Sequence, residues 1–285
     1  MTHDKRTVLI TGCSDGGMGA ALAKEFHSRG FHVYATARDP KKMQSLQALD
    51  IETLPLDILS ESSIAASVTK VSRLDILINN AGATYTMPIS DISISEAKAN
   101  FDLNVWGHIA LIQAFLPLLL KSANAIIANH TSVGAGVSFP FQATYNAAKS
   151  AMSRFSDTLR LELGCFNIRV VDLKTGGVKT AFIKNRQAEQ PRLPENSIYA
   201  PAREAAEKAL KIEWAEDIGI SAEQWAKEVA GDLLKPNPPV EIYRGSSAKM
   251  VQWMRVLIPW YSFDGMMKGM MGFDKIEKII REQRV

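Results

Sequence analysis

Cysteine is scarce in this chain. Its 285 residues include two, Cys13 and Cys165, far apart and outside any Cys-x-x-Cys pair. That excludes a disulfide framework and a thiolate zinc site, leaves no metal site in view, and fits a reducing compartment. Long apolar runs are lacking too. No stretch reaches the roughly 20 apolar residues that cross a bilayer. The nearest, IALIQAFLPLLL at 109–120, reads better as a buried helix. The opening MTHDKRTVLITG has too short an apolar run for a signal peptide. A cytoplasmic protein is therefore expected. Charge of one sign is not in excess. The net charge is +3 with both signs interspersed and no basic block, so no nucleic-acid partner is expected. Neither an internal repeat nor a low-complexity tract is visible.

What is present is a composition that builds a core, 46% hydrophobic and 22% charged, over a length that suits one large α/β domain or two small ones. Short apolar runs alternate with helical patterns. Strands are expected at 7–12, 32–38, 51–58, 74–82, 125–132 and 167–175. Helices are expected at 18–30, 39–49, 60–72, 93–104, 105–121 and 143–164. Strands that alternate with helices imply crossover units and a parallel sheet. Runs rich in Ile, Val and Leu on both faces fit strands covered by helices on both sides. The rhythm breaks after residue 181. KNRQAEQPRLPENSIYAP (184–201) reads as a loop, followed by helical patterns at 202–216 and 222–234 and a last strand at 240–245. Ser221 with Gln224 reads as a capping box.

Two features carry chemistry. TGCSDGGMG (11–19) joins the first strand to the first helix. Glycines there let the backbone turn tightly and approach a pyrophosphate resting on the helix N-terminus, although a flexible loop would look similar. QATYNAAKSAM (142–152) holds Tyr145 and Lys149 four residues apart, on one helix face. Alone, such a pair is usually a surface accident.

Taken in order, TGCSDGGMG, NNAG (79–82), Asn104 in FDLNVWG, Ser132 in NHTSVG and YNAAK (145–149) resemble the motifs of the short-chain dehydrogenase/reductase superfamily. The resemblance covers residues 5–180 and extends more loosely to 245. It implies a Rossmann-type doubly wound parallel α/β sheet in a single domain. Residues 1–246 would form the reductase domain, with 181–240 as its substrate-binding segment, and 247–285 an apolar C-terminal extension. Tyr145 would be the general acid/base. A free phenol is a poor acid or base at neutral pH, and a fixed ammonium nearby favours its ionised form. Lys149 would supply that charge and hold the nicotinamide ribose. Ser132 would orient the substrate carbonyl, and Asn104 would fix a water linking Lys149 to solvent. Without the resemblance, Ser132 reads as a turn residue and Asn104 as a polar contact on a helix.

The resemblance also implies a dinucleotide held by Gly12, Ser14, Gly16, Gly17, Met18 and Gly19, by Asn80, Ala81 and Gly82, by Tyr145 and Lys149, and by Gly176, Val178 and Thr180. Two departures stand out. Gly16 keeps the family spacing from Gly12, but Gly19 falls one residue late, so either Gly16 or Gly17 takes the middle role. Where the family usually has Pro-Gly, this chain has Thr175-Gly176-Gly177. Asp39 sits where an acid would select NAD, yet Asp39-Pro40 also reads as a helix start. Arg38 can pair with a 2′-phosphate. In similar relatives such an Arg, with a Ser in the glycine turn (here Ser14), marks NADP preference. Asp57 resembles the family's adenine-contacting Asp, and also reads as a cap before the next helix.

TGCSDGGMGAALAKEF and TGGVKTAF look like the branch of NADPH-dependent 1-acyldihydroxyacetone-phosphate reductases, and VYATARD like 17β-hydroxysteroid dehydrogenase-like members. The implied reaction is NADPH-dependent reduction of a bulky apolar ketone. In that branch the ketone is an acyl-dihydroxyacetone phosphate, a steroid, or a polyketide or other natural product. A redox-silent NADPH-binding regulator is the alternative from another class. Lys179, Lys184 and Arg186 would meet a phosphate or simply be solvated. Family members commonly associate through the helices flanking strand 125–132, so a homodimer or homotetramer is expected. The tail 247–285 concentrates Met and aromatic residues, which suit irregular apolar surfaces. It would pack on the core, cover the substrate cleft, or lie on a membrane such as the endoplasmic reticulum or on a lipid droplet.

Overall fold

The computed structural model describes residues 5–180, 190–212, 218–257 and 259–283. Seven parallel strands form one sheet: β1 (Thr7–Thr11), β2 (His32–Ala37), β3 (Glu52–Pro55), β4 (Ile76–Asn79), β5 (Ile126–Ser132), β6 (Arg169–Thr175) and, last along the chain, Glu241–Arg244, numbered β9. Their spatial order is β3-β2-β1-β4-β5-β6-β9. The order reverses between β1 and β4, the doubly wound pattern the alternation implied.

Strand periodicity divides the core in two. Val8 and Ile10 of β1 face one side, with Val33, Ala35, Ile76, Ile78, Val171 and Leu173. Helices α1 (Met18–Ser28) and α8 (Ala222–Leu233) cover that side, and Trp225 is wholly buried there. Leu9 faces the other side with Tyr34, Leu77, Ile127 and Val170, under α3 (Glu61–Lys70), α5 (Gly107–Leu119) and α6 (Ala143–Leu163). Both faces of each central strand are apolar because both are buried.

Several expected elements differ in detail. The run 39–49 is a 3-10 turn, Pro40–Met43, with a short α2, Gln44–Gln47, because Asp39 caps Lys41 and the turn tightens at once. The helices at 93–104 and 105–121 are α4 (Ile94–Phe101) and α5, joined without a break by a π turn, Asp102–Trp106. The stretch Ile94–Leu119 is long and apolar enough to cross a membrane on length and composition. Leu111, Ile112, Phe115 and Leu119 of α5 are instead core residues. Ser221 caps α8, its hydroxyl accepting the Gln224 N–H at 3.1 Å. The Gln224 side chain turns to Glu228 at 3.1 Å, so the capping box is half formed. An unexpected two-stranded pair, β7 (Val178–Lys179) with β8 (Ile220–Ser221), follows the main sheet. The helix α7, Arg203–Leu210, is shorter than the 202–216 pattern, whose residues 213–216 lie outside the described residues.

The tail forms α9 (Ala248–Leu257), a turn at Trp260–Phe263, α10 (Asp264–Met270) and α11 (Phe273–Gln283). It packs on the core. Ala248, Val251, Phe263 and Met267 close on Val133 and Val137, just beyond Ser132. Ile276 is wholly buried among Phe141, Leu193 and the inner face of α7.

Candidate active site

The glycine turn hangs from the end of β1. The Thr11 hydroxyl accepts the N–H groups of Asn80 and Ala81 at 3.0 and 2.9 Å, tying the turn to the end of β4. Gly16 has φ +75°, the left-handed conformation that favours glycine. Gly17 is the N-cap of α1 and has no side chain over the helix N-terminus. The extra residue is thus absorbed by a division of labour: Gly16 turns the chain and Gly17 opens the helix end. Gly19 permits close packing, since a Cβ there would lie 2.5 Å from Gly12 O and 2.6 Å from Asn80 Nδ2. Met18, partly buried, opens α1 and packs on the core beneath. The cradle fits a dinucleotide pyrophosphate, which takes bare N–H groups at a helix start.

The same turn is bonded to the end of β2. Cys13 N–H meets Thr36 O at 2.9 Å, Asp15 N–H meets Lys42 O at 2.7 Å, and Asp15 holds Ser45. These bonds bring Ser14 beside the strand end that carries Arg38. Arg38 is exposed, with no ion pair among the described residues. Asp39 accepts from Lys41 N–H at 3.0 Å, the capping role expected of it. Asp57 accepts from Leu59 N–H at 3.0 Å, but the cap of α3 itself is Ser60.

Four of the sequence-derived residues converge at the carboxyl ends of β4 and β5. Ser132 is the last residue of β5, and its Oγ accepts the Gly134 N–H at 3.0 Å. Tyr145 and Lys149 stand on the first turns of α6. Tyr145 is close enough to Ser132 for the hydroxyl to favour the ionised phenol, and Lys149 Nζ lies 5.8 Å from the Tyr145 ring centre. Lys149 is buried and donates to His130 O at 2.9 Å. Asn104 projects from the π turn and donates to Ala83 O and Asn100 O, both at 2.9 Å. Its buried Oδ1 has no protein donor among the described residues. A Cβ on Gly82 would lie 2.9 Å from that oxygen and 3.4 Å from Lys149 Nζ, so a side chain there would intrude between the two.

Burial pushes the Tyr145 phenol up to about 12, while the nearby Ser132 hydroxyl pulls it down. Lys149 is lowered to about 8, chiefly by burial, with the Asp172 carboxylate opposing. Without a bound dinucleotide the phenol is therefore protonated at neutral pH, rather than already activated by Lys149. The Lys149 ammonium is engaged with the His130 carbonyl instead.

Beyond β6 the Gly176–Gly177 pair accommodates backbone from two sides. A Cβ on Gly176 would meet Ser246 O at 2.2 Å, and one on Gly177 would meet Ile218 O at 2.5 Å. Val178 and Lys179 then pair with Ile220 and Ser221, and Thr180 follows. Lys179 is exposed; Lys184 and Arg186 lie outside the described residues. Sequence reading missed His108 and His130. His108 donates through Nε2 to Ala81 O at 2.7 Å, and burial followed by Lys149 lowers it to about 3, so it is neutral. It also missed Asp172, buried between β6 and α6. Nothing in their local sequence marks these residues, because their partners are strands away.

Known proteins agree with this architecture. The family model for short chain dehydrogenase matches residues 6–191. A short-chain dehydrogenase/reductase of Pestalotiopsis microspora is 50% identical over 282 residues, covering 99% of both chains. An NADPH-dependent 1-acyldihydroxyacetone phosphate reductase of Schizosaccharomyces pombe is 40% identical over 206 residues, covering 70% of this chain and 69% of its own. The solved structure of an NADPH-bound carbonyl reductase from chicken fatty liver is 28% identical with a TM-score of 0.59, over 62% of this chain and 82% of that one. The matched family, the strand order and the meeting of Ser132, Tyr145 and Lys149 lead to one assignment: the chain belongs to the short-chain dehydrogenase/reductase family of oxidoreductases.

Proposed function

We propose that this chain is an NADPH-dependent reductase that converts the ketone of a bulky apolar substrate to a secondary alcohol. The observation that carries the reading is the Ser132–Tyr145–Lys149 cluster at the strand ends, next to a glycine cradle that fits a dinucleotide. NADPH, when bound, supplies the hydride. Every other part falls to the protein. The Ser132 hydroxyl orients the substrate oxygen, and the Tyr145 phenol gives it a proton. A phenol held protonated suits the acid of a reduction. Lys149 holds the ribose and keeps a positive charge beside the phenol. Asn104 Oδ1 is the free acceptor that would order a water toward Lys149. Arg38 and Ser14 would take the 2′-phosphate, Asp57 the adenine, and Asn80–Gly82, Gly176, Val178 and Thr180 the nicotinamide side.

The apolar side chains beside Ser132 support the substrate class. Val133, Val137 and Phe139, between Ser132 and Tyr145, form one apolar cluster with Val251, Met254 and Phe263 of the tail. Phe141 and Tyr199 meet edge to face at 5.1 Å beside Phe273. Such surfaces accept a chain or fused rings, with methionine adapting to shape. The Schizosaccharomyces pombe relative favours an acyl-dihydroxyacetone phosphate as a second reading; a steroid-type or natural-product ketone would use the same walls. A complete Ser–Tyr–Lys set argues against a redox-silent regulator. The exposed apolar residues Trp106, Phe155 and Leu161, on the outer faces of the π turn and α6, support a homodimer or homotetramer, which light scattering would read. In a cytoplasmic protein, the outer face of α9 supports peripheral contact with a membrane or lipid droplet. It presents Met250, Trp253, Val256 and Leu257 with Lys249.

Tyr145→Phe is expected to fold and bind NADPH while losing at least about 100-fold in kcat, the low end for general acid catalysis. Near wild-type turnover of a ketone panel would remove Tyr145 from the mechanism. Arg38→Ala is expected to weaken NADPH far more than NADH in fluorescence titrations, and equal losses would sink the phosphate assignment. The Lys149 ammonium loses its proton as pH rises through about 8. Accordingly kcat/KM for NADPH, which reports the free enzyme, is level below that pH and falls above it. A profile flat to pH 10 would contradict a working ammonium. Flotation with anionic liposomes is expected for the full chain and lost in Trp253→Ser/Leu257→Ser; a wild-type chain that stays at the bottom of the gradient ends the membrane reading.

A further inference from the structure

The most marked departure from the family pattern is Thr175, where proline usually stands. The fold gives its hydroxyl a partner, His130 Nε2 at 2.7 Å. His130 lies on β5 two residues before Ser132. It is buried, and its ring stacks on Trp225 at 5.1 Å between centres. The other ring nitrogen, Nδ1, is 2.8 Å from Asn80 Oδ1. The backbone oxygen of the same residue accepts Lys149 Nζ at 2.9 Å.

The direction of each bond can be derived. Asn80 Nδ2 donates to Thr11 O at 2.7 Å and to Gly12 O at 3.3 Å. Turning the amide over would aim its oxygen at two carbonyl oxygens, so Oδ1 is fixed as the acceptor facing His130. His130 Nδ1 therefore carries the proton. Burial, then the charge of Lys149, hold the ring neutral by pushing its pKa well below the ordinary value. Nε2 of a neutral ring with Nδ1–H is a lone-pair acceptor, and Thr175 donates to it. The chain of donors runs one way, from Thr175 through His130 and Asn80 to the carbonyls of the glycine turn. Proline at 175 would have no hydroxyl. It would leave a buried imidazole nitrogen without its donor, an expensive state. The threonine and the histidine belong together.

We propose that His130 and Thr175 are positioning residues that lock the glycine turn, the Thr175–Gly177 segment and Lys149 into one spacing for the dinucleotide. This rests on reading the site as a dinucleotide reductase. One residue links three segments expected to touch different parts of that ligand. Its imidazole sets the distance between the glycine turn, reached through Asn80, and the Thr175–Gly177 segment, and its carbonyl sets the height of the ammonium. In this chain the hydrogen-bonded link stands in for the stiffness of proline at the end of β6.

Thr175→Val keeps the β-branched shape and removes only the donor. The expected result is an NADPH Kd raised about tenfold, in line with the loss of one buried hydrogen bond. Thr175→Ser returns it to near the wild-type value. In the double variant His130→Phe/Thr175→Val the two losses do not add, because both remove the same link. Nitrogen-15 spectra of histidine-labelled protein without cofactor supply a reading independent of activity. His130 is expected as the Nδ1–H neutral tautomer, unchanged between about pH 5.5 and 8.5. Wild-type NADPH affinity in Thr175→Val would overturn the proposal. So would equal losses in Thr175→Val and Thr175→Ser, since the hydroxyl would then be irrelevant, or an Nε2–H or titrating imidazole. A wild-type chain that bound no NADPH would instead defeat the reductase reading, and the spectra would still decide whether the link exists.

Discussion

One charge-assisted hydrogen bond, from the Lys149 ammonium to the carbonyl of His130, fixes the geometry on which the site depends. A buried ammonium is costly unless it is bonded and electrostatically supported. The His130 oxygen does the first, and the Asp172 carboxylate, whose charge favours the protonated lysine, does the second. Asp172 is itself held in place. It accepts from Thr131 and Lys174, and from Ser153 at 2.6 Å. Lys174 in turn reaches Ser153 at 2.7 Å and Glu241 at 3.3 Å. Tyr145, Lys149 and Ser153 are spaced i, i+4, i+8, so they share one face of α6. The helix is thus pinned to β5 at Lys149 and to β6 one turn later at Ser153. The register leaves Tyr145, one turn earlier, facing Ser132. The phenol is placed by anchors that do not touch it.

The sheet supplies the other half of the geometry. Parallel strands bring their carboxyl ends to one edge, and ligands of open α/β sheets bind outside that edge. The ends of β1, β4, β5 and β6 contribute Gly12, Asn80–Gly82, Ser132 and Thr175. Side chains cross-brace these ends rather than leaving each loop to hold itself. Thr11 binds the Asn80–Ala81 backbone, Asn79 donates to Asn129 at 2.9 Å, and Asn129 donates to Ser156 at 2.9 Å. Polar residues so deeply buried are tolerable because most of their atoms are paired with one another.

How much of this was legible in the sequence depends on the distance over which each feature is encoded. The strand–helix alternation, the glycine turn and the Tyr145–Lys149 face are local patterns, and the parallel sheet followed from them. The cap at Asp39 was readable for the same reason, since Asp-Pro acts on its immediate neighbours. The insertion in the glycine turn was visible but its resolution was not, because whether Gly16 or Gly17 turns the chain depends on backbone angles. The π turn was invisible because Asn100 and Asn104 are reasonable helix residues whose bond to Ala83 O exists only after folding. His130 carried no signal. A histidine between Asn and Thr in a strand points nowhere until β4 and β6 lie beside it. The small β7–β8 pair joins segments more than 40 positions apart, each of two residues, too short to show periodicity.

The tail shows the same rule at the scale of an element. Its composition left packing on the core, covering the cleft and lying on a surface open, because an apolar helix reads alike in all three. The fold separates its faces. Ala248 and Val251 turn inward onto the cluster that holds Val133 and Val137, while Trp253, Val256 and Leu257 face outward. Its inward face packs on the core, and the part of the core it meets begins at the residue after Ser132. The division extends to the whole chain. The strand ends that suit a dinucleotide are braced by buried polar bonds and lie before residue 181. The apolar clusters next to them combine the 133–141 segment with helices that follow the reductase pattern. Such packing admits change in shape while the braced strand ends stay fixed. Tyr145 is insulated from such change, because the bonds that anchor α6 at Lys149 and Ser153 run to β5 and β6.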